Sequence, residues 1–230
     1  MTGPADEERR APAAPPEAAR IFGAELERAQ RFADHLADTG ISHGLIGPRE
    51  VPRLWERHIL NCAVIGAAMP EGASVIDVGS GAGLPGIAVA LARPDLSVLL
   101  VEPMERRTTW LSTVIADLEL DSVQVRRDRA EDVHGDRQAD VVTARAVAAL
   151  DKLARWCLPL VTPGGRLVAM KGSSAQREID EAQGTLTRLG GANPRIELCG
   201  ADVLAEPTTV IVIDKVEPAR GRAARPRRPR

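Results

Sequence analysis

A β-branched run at Val75, Ile76 and Val78 leads straight into a loop with glycine at 79, 81, 83 and 86. Apolar residues then resume at helical spacing through Ile87, Val89, Ala90 and Leu91. Strand, glycine turn and helix form the first half of a βαβ unit, which obliges its two strands to run parallel with a helix laid across them. The second strand, 96–101, ends in Glu102. Glycines allow the backbone to approach a ligand closely, and a helix N-terminus presents free N–H groups. An acidic residue closing the second strand is placed to accept hydrogen bonds from a ribose diol. An adenosine-containing ligand follows from this combination. The alternative, a glycine turn with no ligand, leaves Glu102 without a purpose.

Two cofactors compete for that loop. Gly81-Ala-Gly83-Leu-Pro-Gly86 satisfies the dinucleotide pattern G-x-G-x-x-G, which would suit NAD. That pattern should begin directly after the strand, yet Gly81 lies three residues beyond Val78. Counted from the strand end, the register is Asp77-x-Gly79-x-Gly81-x-Gly83, which resembles the loop of class I methyltransferases and favours S-adenosylmethionine. Pro85 suits the first turn of the following helix, where its missing N–H costs nothing.

With 230 residues, 44% of them hydrophobic, the chain can bury a sizeable core. Aromatics are few, so that core must be aliphatic. Cys62, Cys157 and Cys199 are odd in number and widely spaced, which reads as reduced, buried thiols in a cytoplasmic protein. His35, His43, His58 and His134 are scattered, so no metal site is expected. No apolar run reaches membrane-spanning length, and the acidic start at Asp6, Glu7 and Glu8 does not resemble a signal peptide.

Composition divides the chain into four parts. Residues 1–20 are rich in Pro, Ala and charge and are expected to form a disordered arm. Residues 21–70 are expected to be an N-terminal helical subdomain. One helix is marked by Leu26, Ala29, Phe32, Ala33 and Leu36, with Gly40 as its stop, and a second runs from Val51 toward Ala68. Residues 71–216 carry the alternating elements, and 217–230 form an Arg-rich tail, also expected to be disordered. Pro218 to Arg230 holds six arginines and no acid. With a formal charge of −2 over the whole chain, the remainder carries −8. Such a tail either attracts a polyanion such as RNA or only aids solubility.

Five strand-like runs (75–78, 96–101, 122–126, 139–143 and 166–170) alternate with helical segments at 87–92, 108–118 and 150–160. A further helix at 177–189 precedes two consecutive strands, 195–199 and 208–214, which read as a hairpin closing one sheet edge. The fold class is α/β: a Rossmann-like, seven-stranded sheet with helices on both faces, as in class I methyltransferases. A dinucleotide dehydrogenase would need a second domain, for which no residues remain.

The Gly79-Ser-Gly-Ala-Gly-Leu84-Pro85-Gly86 loop, Arg129-Ala130-Glu131, Thr143-Ala-Arg145-Ala146 and Met170-Lys171-Gly172 occur in an order that resembles the ribosomal RNA small subunit methyltransferase G family. Arg57-His58-Ile59-Leu60-Asn61 resembles it too, although Asn61 stands where many relatives carry Ser. The resemblance covers roughly residues 22–214 and implies methylation of guanine N7 in 16S ribosomal RNA, free or within the 30S subunit. No strong interface signal is present, so a monomer is expected.

Beside that resemblance, Asp77, Gly79, Gly81, Gly83, Leu84, Glu102, Ala130, Glu131 and Arg145 are the candidate cofactor residues. Gly79 and Leu84 would line the methionine end through backbone contacts, Glu102 would bind the ribose, and Ala130 and Glu131 would flank adenine. Arg145, ending strand 4, would face the meeting point of cofactor and target base, or else pair with Asp140 or Asp151. Lys171, the other catalytic candidate, would contact RNA phosphate or the guanine, or stand solvated. Arg53, Arg57, His58, Arg126, Arg127 and Arg129 are the candidate RNA contacts. A helix-packing role for His58 and a solvated strand-end role for Arg126, Arg127 and Arg129 are the plain alternatives. Trp110 and Trp156 lie on apolar helical faces and read as core. Rival functions are methyl transfer to another RNA, a protein or a small molecule, NAD-dependent oxidoreduction, and cofactor sensing without catalysis.

Overall fold

The computed structural model describes residues 10–145 and 148–216. Seven strands, β1 (Ser74–Val78), β2 (Ser97–Val101), β3 (Val123–Arg126), β4 (Ala139–Arg145), β5 (Val161–Met170), β6 (Gly191–Cys199) and β7 (Thr208–Lys215), form one sheet. Its order is 3-2-1-4-5-7-6. β1 to β5 are parallel, and β7 inserts antiparallel between β5 and β6. Strand order reverses between β1 and β4, so a crevice opens beyond their carboxyl ends.

Strand alternation sorts the core into two layers. Val75, Val98, Leu100, Val141, Val168, Val210 and Val212 face one layer. The N-terminal helices α1 (Pro16–Phe22) and α2 (Leu26–Ala37) pack there, with α3 (Gly86–Ala92) and α4 (Glu105–Asp117). Ile76, Val78, Val101, Val142, Ala144, Leu167, Ile211 and Ile213 face the other layer. That side holds the short α5 (Ala130–Val133), α6 (Leu150–Cys157) and α7 (Ala175–Arg188). The N-terminal helices thus share one core with the sheet. Cys62, Cys157 and Cys199 are free and buried.

Several expectations need correction. Residues 10–20 of the expected arm are packed: the Trp55 indole donates to Pro12 O at 2.8 Å, and Gln30 and Asp34 accept the Ala14 and Ala11 N–H groups. Composition misled because these apolar residues are short alanines that pack on a distant helix. Residues 1–9 and the Arg-rich tail, 217–230, lie outside the described residues. Gly40 does not stop a helix. It sits buried in the turn Thr39–Ser42, where a Cβ would come within 3.3 Å of His35 O and 3.8 Å of the Trp110 ring. The second N-terminal helix is composite: a π-type segment Leu54–Leu60, an α turn Asn61–Ala63 and a 3₁₀ turn Val64–Ala68. Its apolar residues fall in short runs (Leu54-Trp55, Ile59-Leu60, Cys62 to Ile65) that fit more than one helical winding, so periodicity could not report it.

Candidate active site

Asp77 is the penultimate residue of β1, Glu102 directly follows β2 and Arg145 closes β4, so all three stand at the carboxyl ends where the strand order reverses. Asp77 is fully buried, and its Oδ2 accepts the Gly86 N–H at 3.0 Å, which pins the start of α3. Its Oδ1 is buried without a hydrogen-bond partner. Burial is the largest influence on this carboxyl and pushes its pKa up to about 7. A Cβ on Gly86 would overlap Leu100 Cδ2 and lie 2.7 Å from Asp77 Oδ2, so only glycine fits under the loop. Gly79, Gly81 and Gly83 all take positive φ, 74°, 53° and 75°.

Loop N–H groups are engaged internally, contrary to the free donors expected of a helix N-terminus. Gly79 N–H donates to Val101 O at 2.8 Å, Gly81 N–H to Glu102 Oε2 at 3.1 Å, Gly83 N–H to Ser80 O at 2.7 Å and Leu84 N–H to Ser80 O at 3.2 Å. Gly79 and Leu84 are therefore left to shape the crevice by their surfaces and carbonyls. A pyrophosphate would need those donors, which argues against NAD. What the crevice offers instead is acceptors. Glu102, 2% exposed, takes the Gly81 N–H and, on Oε1, the Met104 N–H at 3.0 Å, which leaves a second lone pair on each oxygen. Arg107 Nη1 lies 3.6 Å from its Oε2, a counter-ion that the sequence reading missed. Donor-rich S-adenosylmethionine, with a ribose diol and an α-ammonium, suits the spare lone pairs of Glu102 and the orphan Asp77 Oδ1.

Beside this carboxylate pair lies a cavity of about 210 Å³ walled by Gly79, Pro103, Arg129, Ala130, Glu131 and Trp156. It brings the predicted Gly79, Ala130 and Glu131 together, and its apolar lining residues Val78 and Val101 suit an aromatic ring such as adenine. Trp156 corrects the expectation of a core residue. It is half-buried on α6, it lines this cavity, and Lys152 Nζ stands 4.9 Å from its ring centre. Trp110 is core as expected, with its indole N–H on Thr39 Oγ1 at 2.8 Å. A larger cavity, about 380 Å³, opens where Ser74 and Ser97 begin β1 and β2 and Ser122 leads into β3. Sites in parallel sheets lie at carboxyl ends, so the smaller cavity is the relevant one.

Arg145 neither pairs with Asp140 nor with Asp151. Its Nη1 donates to Cys62 Sγ at 3.1 Å and its Nη2 to His58 Nδ1. Strand alternation puts Arg145 on the same face as Thr143 and Val141, toward the N-terminal helices. Lys171 departs from its expected role. Its Nζ donates to Ala148 O at 2.6 Å and pairs with Glu178 at 2.8 Å, and only 10% of the side chain is exposed. It ties the segment after β4 to α7 rather than reaching for RNA.

The candidate RNA contacts divide. Arg126 pairs with both Asp128 and Asp136, Arg127 with Glu105 at 3.0 Å and Arg57 with Glu50 at 3.4 Å. These three are less available to phosphate, because neighbouring acids already pair with them. Among the described residues Arg53 and Arg129 have no ion-pair partner, Arg53 being exposed on the 3₁₀ turn Pro48–Arg53 and Arg129 at the cavity mouth.

Strand order, the antiparallel β7 and an acceptor-lined crevice at the β1/β4 reversal define a class I S-adenosylmethionine-dependent methyltransferase. A family model described as rRNA small subunit methyltransferase G matches residues 25–205. The chain belongs to that family. A relative of that name from Salinispora tropica is 54% identical over 94% of this chain and 92% of its own length. Another from Paenarthrobacter aurescens is 53% identical over 85% of this chain and 91% of its own. Among solved structures, a SAM-dependent O-methyltransferase from Thermotoga maritima aligns at a TM-score of 0.54 with 16% identity, over 80% of this chain and 71% of that one. TYW2 from M. jannaschii, solved in complex with AdoMet, aligns at 0.54 with 15% identity, over 71% and 78%. At such identity the two structures speak for the fold alone.

Proposed function

We propose that this protein transfers the methyl group of S-adenosylmethionine to N7 of a specific guanosine in 16S ribosomal RNA of the small subunit. The observation that carries the reading is the acceptor-lined crevice, with buried Asp77 and Glu102 on one side and Arg145 at its lip, in a chain of the rRNA small subunit methyltransferase G family. When bound, the cofactor supplies a methyl group made electrophilic by its sulfonium. Glu102 would accept from the ribose hydroxyls, and Asp77 would complement the ammonium end. Ala130, Glu131 and Trp156 hold the adenine. Guanine N7 carries an in-plane lone pair that is unprotonated at neutral pH, so the residues contribute alignment and charge placement rather than proton removal. Arg145 orients the target base against the cofactor.

Substrate delivery fits a cytoplasmic enzyme that works on RNA or on the 30S particle as a monomer. No described helix is long and apolar enough to cross a membrane. Of the candidate RNA contacts, Arg53 and Arg129 are exposed and without an ion-pair partner among the described residues, which leaves them free to meet phosphate. The test is methyl transfer from labelled S-adenosylmethionine to 30S subunits from a strain lacking this activity, followed by nuclease digestion and mass analysis. Label in 7-methylguanosine of 16S RNA is the expected result. Label in another RNA, in protein or in no nucleoside would overturn the assignment while leaving the fold untouched.

A further inference from the structure

Methyl transfer to N7 calls for no titrating group, yet a buried imidazole holds the residue nearest the reaction. Arg145 can only donate, so His58 Nδ1 must accept, and the proton therefore sits on Nε2. That Nε2–H donates to Glu50 Oε2 at 2.7 Å. Two consecutive elements of the N-terminal part and one distant strand thus form one chain of contacts: Glu50 on the 3₁₀ turn, His58 on the π-type segment and Arg145 at the end of β4. Only 12% of the His58 side chain is exposed. The second Arg145 contact, Cys62, is a buried thiol pushed up to about 11, chiefly by burial, so it stays neutral.

The groups facing His58 have competing effects. Burial lowers its pKa most, the bond to Glu50 opposes that, and Arg145 and Arg57 lower it further, so the net direction is down from 6.5. Glu50 is held ionised by the His58 bond first and then by the charges of Arg57 and Arg53. Asp77 faces Arg145 from β1. At neutral pH the imidazole is uncharged and both of its bonds are made. An imidazolium could not accept from a guanidinium, and the two like charges would part.

We propose that Glu50 and His58 are positioning residues that hold Arg145 in its working orientation only while the imidazole is neutral, so that methyl transfer carries an acid-side limb set by His58. The inference rests on the role of Arg145 given above. The experiment is the pH profile of methyl transfer to unmethylated 30S subunits between about pH 5.5 and 8.5, with cofactor affinity measured alongside by calorimetry. The unaltered protein loses kcat on the acid side with an apparent pKa below 6.5. His58→Gln keeps a donor for Glu50 but none of the acceptor for Arg145, and lowers kcat by about 10–100-fold. His58→Asn keeps the acceptor, and its loss is about tenfold smaller. Neither variant retains the acid limb in kcat at saturating cofactor, where the titration of Asp77 near 7 enters through cofactor affinity instead. Glu50→Gln still accepts from Nε2–H but removes the charge that props up the imidazole, so its limb moves to lower pH. Cofactor affinity in all three stays within about twofold, which reports an intact fold.

A limb of unchanged position in these variants, or equal rates for the Gln and Asn forms, overturns the relay. Arg145→Ala separates the two readings. Full transfer by it overturns the role of Arg145 and the relay together. Loss of transfer by it, with His58→Gln at the unaltered rate, overturns the relay alone. Should the His58 forms fail to fold, the shift in Glu50→Gln decides.

Discussion

The cofactor half of the crevice and its arginine-bearing rim use their charged side chains in opposite ways. In the cofactor half, Asp77 and Glu102 are buried and incompletely satisfied: one Asp77 oxygen has no partner, and Glu102 keeps spare lone pairs. On the rim, Arg57, Arg126 and Arg127 are exposed but already paired with Glu50, Asp128, Asp136 and Glu105. A buried carboxylate with an open lone pair is costly unless a ligand completes it, whereas an exposed ion pair is worth little and yields little. Available charge, rather than charge in the sequence, marks the working surface.

The largest expected effect comes from the loop floor. Gly86→Ala gains about 1 kcal/mol of helix propensity but must overpack against Leu100 and Asp77, at about 1–3 kcal/mol. Steric strain wins, and thermal unfolding should come several degrees earlier, with cofactor binding lost in calorimetry. An unshifted Tm would show that the loop can move aside.

Asp77→Asn should separate stability from binding. Because the folded-state pKa is raised from 3.8 to about 7, the folded protein binds the proton more tightly than the unfolded chain. The associated stability is fully present below the unfolded value and is lost as pH rises through about 7. The amide stays neutral, so the variant should gain about 2 kcal/mol relative to the unaltered protein at pH 8 and lose that pH dependence, while binding S-adenosylmethionine about tenfold more weakly. Denaturant titrations at pH 6 and pH 8 would check it. A variant that is less stable at both would contradict the burial argument.

Trp156 offers a smaller, cleaner signal. Trp55 and Trp110 are buried with their N–H groups engaged, whereas Trp156 faces the adenine cavity. Cofactor should change the intrinsic fluorescence of the unaltered protein and not that of Trp156→Phe, whose affinity drops about 2–10-fold. The smallest effect distinguishes paired from unpaired cations. Arg129→Ala should reduce the slope of log affinity against log salt for RNA by about 1, while Arg126→Ala leaves the slope unchanged. Equal slopes would erase the distinction drawn between rim and crevice.

Seven strands and their alternation with helices were legible because each strand is a short apolar run bounded by Gly, Pro or polar residues, as at 75–78 and 96–101. Boundaries at β5 and β6 were not, since Pro163-Gly164-Gly165 reads as a break yet lies within β5, where pairing with β4 shifts register between Ala139 and Val141. Asp77, Glu102 and Arg145 could be placed at strand ends from the sequence, and Ala130 and Glu131 shortly after the third strand, which is where the structure has them. Lys171 was misread, because only the fold brings Glu178 and Ala148 O to it. Arg107 and Trp156 were missed for the same reason. Each lies on a helix that says nothing by itself about the neighbouring strand end. The one signal available was that both sit one or two turns into helices following strands 2 and 4.

The most direct measurement is a calorimetric titration of the protein and of Glu102→Ala with S-adenosylmethionine, with NAD as the comparison ligand. The account predicts saturable binding of S-adenosylmethionine, weakened about 10–100-fold by the substitution, and no heat from NAD. Equal affinity in the two proteins, or saturable binding of NAD, would contradict it.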